Sequence, residues 1–205
     1  MCTIEVPVRS IRPEDEGNRS SRRVSELESE EHLGTIPPMR QSDREITDNS
    51  ELEAVLVASL VCHLAINDPA GAPYIVALCY GYDFNTISRE LTLWFHCAKE
   101  GLKLDLLNQD HRVSFQMESR LSLVKGTGVQ ACDWGMDYES LVGQGTITKV
   151  EDRDEILHGL DCLLSHYGGS GLPYVEPTLS HTEILRLNVV SFTGKRSRRL
   201  WPQVV

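Results

Sequence analysis

Six short runs of β-forming residues, mostly joined by polar turns, set the limits on what this chain can fold into. LVCHLAI at 60–66 and YIVALCYG at 74–81 flank the turn Asn67-Asp68-Pro69-Ala70-Gly71, which predicts an antiparallel hairpin. A polar loop over 83–89 leads into LTLWFH at 91–96. Val113, Phe115 and Met117 alternate along a strand over 112–117. The stretch 140–150, with Gly143 and Gly145 inside it, reads as a long kinked strand, since glycine within a strand signals a bulge or a barrel corner. A last strand over 183–192 carries Ile184, Leu185, Leu187 and Val189. Only three segments read as helix. Ser50 and Glu53 form a capping box ahead of Leu52, Val55 and Leu56. Residues 99–107 place Leu102 and Leu106 four apart, and Asp152 with Glu155 opens the strongest helix, which ends at Gly168-Gly169. Helices that do not regularly separate the strands exclude a doubly wound sheet. The pattern predicts a mainly β fold, a small antiparallel barrel with flanking helices.

The barrel occupies residues 39–195. Before it, residues 1–38 are rich in Arg, Glu and Ser, and their few apolar residues follow no period. Such a segment cannot offset its ordering entropy by burial, so it is expected to be disordered or loosely ordered. Residues 196–205 begin a basic tail. Across the chain 20 Lys and Arg stand against 30 Asp and Glu, a net charge of −10 that argues against a nucleic-acid partner. No run approaches the roughly 20 apolar residues of a membrane helix. The first 25 residues hold five arginines and four acids without an apolar block, unlike a secretory or transit peptide, so the expected compartment is the cytoplasm.

The six cysteines have no zinc-knuckle spacing and read as reduced thiols. Chemistry concentrates instead where a strand runs into a helix, at Phe95-His96-Cys97-Ala98-Lys99-Glu100-Gly101-Leu102-Lys103. Open backbone N–H groups, a glycine that permits close approach, and two lysines four apart suit an anionic phosphate. Taken alone, the same lysines also fit ordinary surface decoration, and His63, Cys97 and Trp94 fit packing roles.

That string closely resembles the H-x-A-x-x-G-x-K signature of the pyridoxamine 5'-phosphate oxidase-like flavoproteins, in particular their nitroimidazole-resistance branch. Four further blocks agree in order: Arg44-Glu45-Ile46-Thr47-Asp48; the strand from Pro73 to Tyr82; Ala131-Cys132-Asp133-Trp134-Gly135-Met136 followed by Tyr138 to Gly145; and Leu185-Arg186-Leu187 through Thr193-Gly194-Lys195. The resemblance implies a six-stranded antiparallel FMN-binding split β-barrel in Greek-key order, assembled as a homodimer with flavin at the subunit interface. Residue by residue, it implies that Val76, Ala77, Leu78, Cys79 and Tyr80 run beside the flavin ring and offer it backbone groups; an aromatic so placed, Tyr80, would gain stacking energy on the ring. It further implies that His96, Cys97, Ala98, Lys99, Gly101 and Lys103 hold the phosphate, with Phe95 beside them in the cofactor site. Gln116, Trp134 and Lys195 would complete the cofactor site, Trp134 from the partner subunit. The chain departs from the family at Ala77, where many members carry proline, and at Asp137, where a basic residue is common.

The function so implied is an FMN-dependent oxidoreductase passing two electrons to or from a small-molecule substrate, by nitroaromatic reduction or amine oxidation. Two alternatives use the same fold: a haem- or flavin-binding storage or haem-degrading protein with His96 as iron ligand, and a deazaflavin-dependent reductase. True pyridoxamine-phosphate oxidase is disfavoured, because Arg199-Leu200-Trp201-Pro202 matches only the end of that enzyme's C-terminal region.

Overall fold

The computed structural model describes residues 36–126 and 131–197. The extension up to residue 35 and the tail beyond 197 therefore lie outside the described residues. The chain forms β1 (Glu45–Ile46), α1 (Asn49–Ala58), β2 (Cys62–Ile66), β3 (Tyr74–Leu78), β4 (Gly81–Phe84), β5 (Leu91–Ala98), α2 (Leu102–Leu107), β6 (Arg112–Val124), β7 (Gly135–Lys149), α3 (Arg153–His166), α4 (Glu176–Leu179) and β8 (Thr182–Arg196). All strand pairs are antiparallel. They form one sheet in the order β3-β2-β6-β7-β8-β5-β4, with β1 also pairing β8.

The two end strands of this sheet are consecutive in sequence. Leu78 ends β3 and Gly81 begins β4, so Cys79 and Tyr80 alone connect opposite edges. Three Cα–Cα steps span at most about 11 Å. The sheet must therefore curl until its edges meet at that corner. β3 stays paired to β2 and β4 to β5, which leaves an unpaired seam between the β3 and β5 sides. This is a split barrel. Strand β4 corrects the expected loop at Asp83: the chain from Tyr74 turns a corner and resumes as a second strand.

Side chains alternate across the corner without interruption. Val76, Leu78, Tyr80, Tyr82 and Phe84 join the barrel interior with Leu64, Phe95, Phe115, Met117, Leu141 and Leu187. Helix α1 contributes Leu52, Val55 and Leu56 near the Cys62 end of β2, and α2 contributes Leu104, Leu106 and Leu107 near its other end. The observed cap of α1 is Asp48, whose carboxylate accepts from the Glu51 N–H at 3.0 Å, rather than Ser50. Asp152 caps α3 in the same way through Glu155 N–H. The expected basic tail starts too early, because Arg196 belongs to β8 and the Ser197 hydroxyl donates to Asp137 at 2.6 Å.

Helix α3 lies against the outer face of β4 and β5, where Trp94, Val150 and Ile184 make a second small core with Ile156 and Leu160. Gly81 makes this approach possible: a Cβ there would fall on the backbone of Cys162 and Leu163. The C-terminal end of α3 fastens the corner. Tyr167 hydroxyl donates to the Leu60 carbonyl at 2.7 Å and accepts from the Tyr80 N–H at 3.1 Å, while His166 Nε2 donates to the Ser59 carbonyl at 2.9 Å. Gly81→Ala should lower the unfolding free energy by about 1–3 kcal/mol, as overpacking does, whereas Gly71→Ala, in open space, should not. Equal urea midpoints for the two variants would contradict this packing.

Burial lowers the His166 pKa despite its bond to the Ser59 carbonyl. An unfolded histidine takes up a proton near pH 6.5, and the folded ring resists until lower pH. Stability should therefore fall as pH drops below about 6.5 and level off once the folded ring is protonated. Urea midpoints across this window should depend less on pH in His166→Gln; an identical dependence would show that His166 is not responsible.

Candidate functional site

The split brings together the two segments that the sequence singled out. Gly81 pairs with Trp94, so the corner Cys79–Tyr80 lies where β5 continues into Phe95 and His96. The remainder of β3 then faces the end of β5 across the seam. Strand β3 pairs only with β2 among the described residues, leaving backbone donors and acceptors along one side for a ligand.

Alternation decides which side chains reach outward. Ile75, Ala77 and Cys79 are exposed on β3, as are His96 and Ala98 on β5. Val76 and Leu78 point inward and are half-buried. Burial limits what two of the expected site residues can offer. Tyr80 is 0% exposed, and its hydroxyl donates to the Leu56 carbonyl at 2.7 Å, so its ring cannot stack on a ligand. Phe95 is equally buried in the barrel core. Both can offer a bound group only their backbone.

The lysine turn also differs from expectation. Gly101 has φ of +129°, a conformation costly for any other residue, and so ends the extended chain without joining the helix. Helix α2 starts at Leu102, which leaves Lys99 in the preceding turn instead of on a helical face with Lys103. Leu104 and Asp105 donate their N–H groups back to the Gly101 carbonyl. Lys99 is exposed and Lys103 half-buried. The Lys103 ammonium lies beside the half-buried Cys97 thiol. Burial raises that thiol's pKa more than Lys103 and Lys149 lower it, with Glu183 adding to the rise. Cys97 is thus an inward filler beside the turn and not an activated thiolate.

Gln116 occupies the outer sheet face in the row Ala77, His63, Gln116, Val142, Thr193. Its amide donates to Glu118, and His63 Nδ1, 3.9 Å from Glu118, is shielded and makes no hydrogen bond. The next row runs Glu118, Ser140, Lys195, which puts Lys195 on the same face as Gln116. Trp134 is not brought to this chain's own seam. It lies beyond the end of β6 away from α2, 53% exposed and against Gly126. The residues present fit a planar cofactor with one phosphate: an open strand edge, small outward side chains at Ala77 and Ala98, and a lysine turn at the mouth of the seam.

Sequence reasoning missed a cluster on the other side of β4. Asp83 Oδ2 accepts from Trp94 Nε1 at 2.7 Å and from His158 Nε2 at 2.8 Å, and the Cys162 thiol lies 3.6 Å from Asp83 Oδ1. Burial raises the Asp83 pKa, but the bonds from His158 and Trp94 outweigh it and hold the carboxyl below its ordinary value. Burial and the Asp83 charge push the Cys162 thiol up to about 12. His158 and Cys162, four apart in the strongest helix, were the only signal within the sequence.

Among the described residues no helix is long and apolar enough to cross a membrane. The family model described as pyridoxamine 5'-phosphate oxidase matches residues 48–196. No curated protein matches the chain. Among solved structures it is similar to a protein from Bacteroides thetaiotaomicron assigned provisionally to 5-nitroimidazole antibiotic resistance. That likeness has a TM-score of 0.62 and 27% identity, covering 74% of this chain and 86% of the other. An FAD and heme binding protein from Mycobacterium smegmatis shares the fold at TM-score 0.61 and 16% identity, over 79% of this chain and 77% of the other. A flavocytochrome from Azotobacter vinelandii does so at 0.60 and 14%, over 78% and 72%. With a family match from α1 through β8 and a fold shared with these proteins, the chain belongs to the pyridoxamine 5'-phosphate oxidase family.

Proposed function

We propose that this protein is an FMN-binding oxidoreductase that transfers two electrons to or from a small molecule. The observation that carries this reading is the convergence of the β3 edge and the Lys99–Lys103 turn on one seam of a family split barrel. Flavin-binding and nitroimidazole-resistance descriptions among the similar structures support it. When bound, the flavin would supply the redox step itself.

The chain's own residues bind and orient. Backbone groups from Val76 to Cys79 meet the polar edge of the ring, and Ala77 and Ala98 leave room for it. Lys99 and Lys103 neutralise the phosphate, while Gly101 lets the backbone approach it. Lys195 and Gln116 face a bound ring from the outer sheet. That outer face exposes Ile75 at 65%, Val142 at 45% and Val190 at 49%, and α3 covers β4, β5 and part of β8. A second copy of the chain covers it in this reading, and brings its Trp134 toward the neighbouring seam. A haem reading rests on His96, exposed at the seam, whose ring makes no hydrogen bond among the described residues. It is the second choice, because the lysine turn suits a phosphate better than a propionate-bearing macrocycle.

The purified protein should show flavin absorption bands, release FMN on denaturation, and scatter light as twice 23.0 kDa. A Soret band that shifts in His96→Ala would instead establish the haem reading, and a mass of one chain with flavin bound would exclude the shared site. Lys103→Ala should weaken FMN binding more at low than at high ionic strength, because a half-buried ammonium–phosphate attraction is screened by salt. Unchanged affinity would place the phosphate elsewhere.

A further inference from the structure

The Asp83 cluster lies apart from the seam, on the α3 side of β4, and no part of the flavin reading uses it. His158 and Cys162 are four residues apart on α3, so their side chains stack on one face, one turn from each other. Period-two alternation turns Asp83 toward that face, since Tyr82 and Phe84 point into the barrel. The glycine at 81 lets helix and strand approach closely enough for the three side chains to meet.

Their donor atoms converge, His158 on one carboxylate oxygen of Asp83 and Cys162 on the other. His158 Nε2 is 2.8 Å from Asp83 Oδ2 and 3.5 Å from Cys162 Sγ, and Sγ is 3.6 Å from Asp83 Oδ1. Ligands bound to zinc at about 2.0–2.3 Å in a tetrahedron stand roughly 3.3–3.8 Å from one another. The two distances to Cys162 Sγ already have that length, one ligand atom from each residue lies within 4.8 Å of the others, and the His158–Asp83 separation opens by about half an ångström when an ion replaces the hydrogen bond. Trp94 Nε1 fixes the carboxylate from behind at 2.7 Å, as an outer partner of a ligating group does.

A thiol–imidazole–carboxylate catalytic triad is the competing reading of these residue types. Such a relay needs both ring nitrogens, one on the thiol and the other on the acid. Here the same nitrogen, Nε2, faces both partners, so the ring relays nothing and the three donors converge instead. Sulfur, nitrogen and oxygen together suit zinc-like ions and exclude magnesium or calcium, which take oxygen ligands.

We propose that Asp83, His158 and Cys162 bind one divalent transition-metal ion of the zinc class, with a fourth coordination position open to the adjoining cavity. That cavity measures about 510 Å³, and Glu53, Tyr82, Asp161 and His166 line it beside the three ligands. Three protein ligands and one open position are the arrangement of sites that hold water or a small molecule on the metal. The ion also ties α3 to β4, so binding it stabilises the fold.

The test uses the full-length protein, reduced and stripped with chelator, titrated with Co2+ and followed by difference absorption so that any flavin cancels. One equivalent should produce a thiolate-to-cobalt charge-transfer band and tetrahedral visible bands, and Zn2+ should displace them and raise Tm. Cys162→Ser should abolish the charge-transfer band, and His158→Gln should weaken Co2+ binding at least tenfold. Cys97→Ser should leave both unchanged. Circular dichroism checks that each variant folds; if Cys162→Ser does not, His158→Gln and Asp83→Asn decide the question. A wild-type protein without the charge-transfer band, or the same band in Cys162→Ser, overturns the site whatever the flavin content proves to be.

Discussion

Everything in this molecule depends on a two-residue bridge. Cys79 and Tyr80 join strands that lie at opposite ends of the hydrogen-bonding order, so a flat sheet would tear the chain apart. Curling resolves the conflict and leaves a seam, where the free side of β3 faces the β5 side of the sheet without pairing. The bridge is then held from two directions. Tyr80 reaches inward to the last carbonyls of α1, and its backbone N–H meets the Tyr167 hydroxyl beyond α3. A buried phenol satisfied in this way is a structural anchor, since leaving the Leu56 carbonyl unpaired would cost roughly 1–3 kcal/mol.

Two sites follow from this one corner. Upstream of it, β3 has an open edge and faces the lysine turn across the seam. Downstream, β4 turns Asp83 outward to α3. The same alternation that hides Tyr80 presents Asp83, and the two sites stand on opposite sides of a short stretch of chain.

What could be read in advance was local. The caps at Asp152 and near Asp48, the turn at Asn67 to Gly71 and the spacing of Leu160, Leu163 and Leu164 are encoded within a few residues, and they give the helices and most strands. The order of the blocks around Gly101 and Lys103 gave the family. Strand β4 escaped because Gly81-Tyr82-Asp83-Phe84 is short, runs straight into a polar loop and becomes a strand only through its pairing with β5. Tyr80 was misjudged because an aromatic next to a ligand strand looks available; counting in twos from Val76 puts it inside. Helix α2 begins later than its leucines suggest because a positive φ at Gly101 interrupts the path. The Asp83 cluster was out of reach of any spacing rule, since 75 positions separate Asp83 from its histidine.

The strand order also dictates how the barrel can be assembled. Ala65 meets Ile75 across ten residues, and β6, β7 and β8 form a meander whose first hairpin is also local. Leu93 meets Leu187 only across 94 residues, from 187 − 93. That is roughly three doublings of loop length beyond the first hairpin, or about 2 kcal/mol of extra closure entropy. The pairing that brings β5, and with it the lysine turn, onto β8 is thus, like those of β2 with β6 and of β1 with β8, one that hairpin formation cannot prepare. Contacts of such long range slow folding, so the docking that completes the seam is among the steps that slow closure of the barrel.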